Sequence, residues 1–151
     1  MKTILILFAF LSITGTLSSQ EKFPVLTNDA LVGSQTSNVS HQEPYKLLVY
    51  GAIGCSYSRF LVDQLSYFED CEQLEIIILL EDSKEAILKE YPKLIETYRV
   101  YTNDILNYKL AKKQDITPQT FLFKDGEQLL SIKGVKKRMF IKINKKINCN
   151  I

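Results

Sequence analysis

Three features of the sequence predict an α/β fold, a central sheet flanked by helices. Lys46–Gly51 and Leu74–Leu80 are almost unbroken apolar runs, the second rich in isoleucine, as strands buried on both faces are. Between them, Phe60, Leu61, Leu65 and Phe68 recur at helical spacing. Later, Thr120–Lys124 and Gln128–Lys133 flank Asp125-Gly126, the pair that two-residue hairpin turns favour because both positions need positive φ.

In chain order, Lys46–Gly51 is the first buried strand, and a helix is expected from Ser56 toward Cys71. Leu74–Leu80 is the second strand. Ser83 is placed to cap a helix running to about Tyr91, which Pro92 interrupts. Thr97–Tyr101 reads as a short strand, and Asn103 or Asp104 starts a helix with Ile105, Leu106, Tyr108, Leu110 and Ala111 on its apolar side. The hairpin follows, then Gly134, then a basic amphipathic helix carrying Met139, Phe140, Ile143 and Ile147.

Residues 1–19 read as an export signal. Lys2 forms a short basic start, Ile4–Ile13 is apolar but short for a membrane span, and Thr16–Gln20 offers small residues for cleavage. Residues 20–44 are polar and turn-rich and read as a loose leader, with a short strand near Phe23–Leu26. Residues 45–151 are then one domain with one core. No stable membrane insertion is expected once the signal is removed. The net charge of +2 includes Lys2, so no overall field recommends nucleic acid. The exception is local: Lys133–Lys146 carries only basic charge, which reads first as the solvated face of the last helix and second as a surface for a membrane or an acidic partner. His41 is the single histidine, in the polar leader, and no Cys/His spacing suggests a metal or cofactor site. Asn38-Val-Ser40 is a glycosylation sequon of meaning only in a eukaryotic secretory host.

Cys55 is the residue that points to chemistry. It follows a strand and a small-residue turn and opens a helix, where unpaired N–H groups and the helix dipole favour a thiolate. A thiolate is the nucleophile of thiol–disulfide exchange. Three residues on stands Ser58, and Arg59 offers positive charge nearby.

Residues 45–148 resemble the thioredoxin-like superfamily, a thioredoxin fold with a central mixed sheet flanked by helices. Tyr50-Gly-Ala-Ile-Gly-Cys55-Ser-Tyr-Ser58-Arg is similar to the family's aromatic-Trp-Ala-x-Trp-Cys-x-x-Cys-Lys/Arg segment. Ile116-Thr-Pro118-Gln-Thr-Phe-Leu-Phe resembles the segment whose cis-proline faces the active cysteine, and Asp125-Gly126 with Gly134 matches the hairpin and following glycine. The additional strand and helix in residues 97–113 are closer to the exported TlpA/ResA-type thioredoxins. The resemblance implies that Thr117 and Pro118, with Tyr57, form a docking wall for substrate beside Cys55; an ordinary trans Thr-Pro at a strand edge is the other reading. The chain departs from the family at Gly51 and Gly54, where tryptophans are usual, which implies a more open site. It departs again at Val49, where a buried carboxylate is common, and at Ser58, which replaces the resolving cysteine. A serine hydroxyl cannot release a mixed disulfide by internal attack, so an external thiol is required.

In that topology the first and last helices share one sheet face, which places Cys71 and Cys149 near each other as a structural disulfide, with an unpaired or intermolecular Cys149 as the alternative. The resulting expectation is an exported, periplasmic or secreted, monothiol protein. It would exchange disulfides with exported proteins or small thiols through Cys55, with Ser58 beside it. The alternative is a redox-inactive binding or chaperone module on the same fold. A peroxidase site fails on Leu48 and Ala52, and an iron–sulfur carrier of the monothiol glutaredoxin type fits poorly with export.

Overall fold

A computed structural model describes residues 22–33, 44–103 and 117–149. Among these, six strands form one sheet: β1 (Leu31–Val32), β2 (Tyr45–Gly51), β3 (Leu74–Leu80), β4 (Arg99–Thr102), β5 (Gln119–Lys124) and β6 (Glu127–Lys133). Their spatial order is β1-β4-β3-β2-β5-β6. β2, β3 and β4 run parallel, and β1, β5 and β6 each pair antiparallel with their neighbours. The helices are α1 (Ser56–Asp63), α2 (Lys84–Glu90), α3 (Pro92–Thr97) and α4 (Met139–Ile147).

The local signals explain most boundaries. Ser83 Oγ accepts from Ala86 N–H and caps α2. Tyr91 leaves helical geometry at φ −130°, and Pro92 opens α3 at its first turn, where its missing N–H costs nothing. Asp125 and Gly126 both take positive φ, 51° and 83°, as the hairpin turn requires. The first helix is shorter than its apolar spacing predicts. α1 ends at Asp63, and a 3-10 turn over Leu65–Phe68 carries the chain on, so Leu61, Leu65 and Phe68 reach the core while Phe60 points outward.

The sheet has two buried faces. On one, Leu47, Val49, Ile78 and Leu80 meet residues of all four helices, among them Leu61, Ile87, Leu94 and Ile143. On the other, Leu48, Tyr50, Ile77, Leu79, Phe121 and Phe123 pack with Ala30, Phe23, Leu26 and Leu31. The second face corrects the loose-leader expectation for residues 22–33. Lys22 bridges to Glu127, Phe23 N–H donates to Gly126 O at 3.0 Å, and β1 adds to β4 at the sheet edge. An apolar sheet face needs a cover, and this short segment supplies Phe23, Leu26 and Ala30 to it. The expected strand near Phe23–Leu26 is instead this single bridge. The expected signal, the sequon, His41 and the helix after Asn103 lie outside the described residues.

Glu75 is the buried charge of this second face. Its carboxylate lies 2.8 Å from Lys46 Nζ on β2 and 2.7 Å from Arg99 Nη1. Burial pushes its pKa up, but hydrogen bonds from Lys46 and Arg99 outweigh that and hold it below the usual carboxylate range. A depressed carboxylate stabilises the fold fully above its unfolded pKa and loses that contribution as pH falls through the folded value. Urea unfolding should therefore show stability falling on acidification below about pH 4, with a shallower fall in Glu75→Gln. Equal slopes in the two proteins would mean the two cations do not hold Glu75 ionised.

Candidate functional site

The site lies at the C-terminal end of β2. There the sheet changes direction, with β3 hydrogen-bonded on one side of β2 and β5 on the other, and the loops beyond such a point converge on a crevice. β2 ends at Gly51, Ala52–Gly54 makes a tight turn closed by Cys55 N–H to Ala52 O at 3.1 Å, and Cys55 is the N-cap of α1. Cys55 is half-buried and carries the one free thiol among the described cysteines.

Ser58 sits one turn into α1 and is fully enclosed. Its Oγ accepts from Ala52 N–H at 3.3 Å. From the other side comes the Thr117–Pro118 segment, whose peptide bond is cis. The protonated Cys55 thiol donates to Thr117 O at 3.6 Å, and Pro118 O accepts from Gly134 N–H at 2.7 Å. Burial pushes the Cys55 thiol up. Hydrogen bonds from the Ser58 hydroxyl, Ser58 N–H, the Thr117 side chain and Tyr57 N–H together outweigh it, so its pKa lies below the ordinary thiol value.

Of the residues the sequence singles out, Cys55, Ser58, Thr117 and Pro118 come together. Tyr57 stands beside them but is 65% exposed, and Phe60 is 53% exposed, so the first two turns of α1 present two aromatic rings to solvent. Cys71 and Cys149 are elsewhere, joined as a disulfide with Cα atoms 5.7 Å apart. Arg59 does not act on the thiol: its Nε donates to Ile53 O at 3.0 Å. The N–H of Ile53 is held too, because it donates to Asp82 Oδ2 at 2.7 Å, and Asp82 O accepts from Thr102 Oγ1 at 2.7 Å. The active turn is thus clamped at Ile53 between Asp82 and Arg59. Sequence reasoning passed over Asp82. The signal was its place two residues after β3, since parallel neighbours bring their C-terminal loops side by side.

No protein-family model matches the chain, and no curated protein matches it. Solved structures do. A Chlorobium tepidum protein described as a thiol:disulfide interchange protein, DsbE, superposes with a TM-score of 0.63 at 16% identity, covering 85% of this chain and 94% of that one. A thiol-disulfide oxidoreductase from Bacteroides fragilis superposes at 0.55 with 16% identity, over 69% and 82%. StoA from Bacillus subtilis does so at 0.53 with 12% identity, over 70% and 84%. This chain has the thioredoxin fold.

Within the thioredoxin fold, the two glycines expected to open the site behave differently. At Gly54 an added Cβ meets nothing within 4 Å, so the surface beside Cys55 is open. At Gly51 an added Cβ would lie 2.8 Å from Ser58 Oγ and 3.0 Å from its Cβ, so this position is closed by Ser58. Val49 is buried in the core, and the carboxylate that reaches the turn comes from Asp82 instead. No helix among the described residues is long and apolar enough to cross a membrane.

Proposed function

We propose that this chain is an exported thiol–disulfide exchange protein acting through one thiol, Cys55. The Cys55 thiolate attacks a substrate S–S bond, forms a mixed disulfide and expels the second substrate sulfur as a thiolate. An external thiolate then attacks the mixed disulfide, returns Cys55 as a thiolate and leaves with the substrate sulfur. Ser58 stabilises the Cys55 anion at both ends of the cycle, while Thr117 and Pro118 with Tyr57 line the place where an extended substrate lies. Disulfide-bearing exported proteins or small thiols are the partners this chemistry needs, and no cofactor enters it. The observation that carries the reading is the convergence of the Ser58 hydroxyl and Thr117 on the thiol at the N-cap of α1.

The test is the rate of Cys55 alkylation against pH. Its midpoint should lie below the ~8.5 of a free thiol, and Ser58→Ala should move it upward by removing a donor to the anion. A midpoint at the ordinary value, unmoved by Ser58→Ala, would sink the exchange reading. The open aromatic pair Tyr57 and Phe60 supports a second reading, a module that binds extended polypeptide without chemistry. Cys55→Ser separates the two: it abolishes covalent capture under the first and leaves binding intact under the second.

A further inference from the structure

A second concave feature lies apart from the thiol, a cleft of about 480 Å³ between the end of α1 and the junction of α2 with α3. Its deep surface is the buried pair Val62 and Leu94. Its walls include two half-buried rings, Tyr91 and Tyr98. Asp63, Glu69 and Glu90 stand at its exposed rim, against one cation among its described lining residues, Lys93.

The carboxylates and rings are close enough to act on one another. Burial raises both phenols above the ordinary value; at Tyr91 the neighbouring Arg59 opposes this and the charge of Asp63 adds to it, and at Tyr98 the charge of Glu69 adds to it. An anion would meet three carboxylates here, and a neutral apolar ligand would leave them unused. A cation on an apolar stem uses every part: the charge between rim carboxylates and ring faces, the stem on Val62 and Leu94. Arg59 Nε donates to Ile53 O, and the same guanidinium lies beside Tyr91, where its charge and hydrogen bonding lower the phenol's pKa against burial.

We propose that this cleft binds an organic cation, a guanidinium or primary ammonium on an alkyl stem. The site is separate from the thiol chemistry: Val62 and Asp63 lie about 10–12 Å along α1 from Cys55 at helical rise. Such a group arrives either as a free amine or as a basic side chain of a polypeptide.

Agmatine, and a capped arginine-containing peptide beside its alanine counterpart, are titrated into the whole protein, with NMR shifts of the tyrosine rings as the readout. Saturable binding of agmatine is the expected result. The double variant Asp63→Asn, Glu69→Gln, altered only at exposed positions, should bind it about tenfold more weakly. Glu127→Gln, an exposed carboxylate on β6, should bind as the natural chain does, which separates the cleft from general charge. Saturation by the arginine peptide alone, absent for the alanine peptide, supports the site with a polypeptide as the source. Saturation by none of the probes, or agmatine binding unchanged in the double variant, overturns the proposal.

Discussion

In a Ser58→Cys variant, a mixed disulfide at Cys55 breaks down without added thiol, on the order of a hundredfold or more faster than in the natural chain with millimolar external thiol. The reason is the geometry of α1. Cys55 caps α1 and position 58 lies three residues on, on the same side of the helix, so a thiol there is placed to attack within the molecule. The new S–S bond joins positions 55 and 58, and the substrate sulfur departs as a thiolate. The measurement is mass-spectrometric decay of a mixed disulfide with a model peptide. An unchanged lifetime would mean that position 58 does not reach Cys55 in solution, and the part assigned to Ser58 would fall with it.

Cys149→Ser should cost about 4 kcal/mol of stability, the loop-entropy value for a bridge that closes 78 residues. That corresponds to a fall in Tm of about 10–20 °C for a domain of this size. Gln73 Nε2 to Ile147 O at 2.7 Å keeps the end of α4 on the fold without the bridge, and Cys149 N–H to Asn144 Oδ1 at 3.1 Å closes the helix end on itself. The variant is therefore expected to fold, and its Cys55 alkylation profile to match that of the natural chain. A Tm change of a degree or two would show that the bridge contributes little in solution.

Elements written in short-range patterns were legible in the sequence. The buried runs of β2 and β3, the Ser83 cap, the Pro92 break and the Asp125-Gly126 hairpin each follow from a few adjacent residues. Cys55 at a helix start was legible for the same reason. The end of α1 was not, because Leu65 and Phe68 satisfy helical spacing whether the backbone is α-helical or tightens into a 3-10 turn.

By itself, the sequence determined the α/β architecture, the thiol and its place before a helix, and the serine in the third position after it. Tertiary structure decided what those residues meet. It brought Thr117 across 62 positions to the thiol, and Asp82 across 29 to the turn. It closed Gly51 with Ser58 and left Gly54 open, although the two glycines read alike in the sequence. It also set Glu75 between Lys46 and Arg99 and turned part of a polar leader into the cover of a sheet face. Most of these rest on the pairing of strands distant in sequence, parallel for Asp82 and Glu75 and antiparallel for Thr117 and the leader, which leaves no periodic mark along the chain.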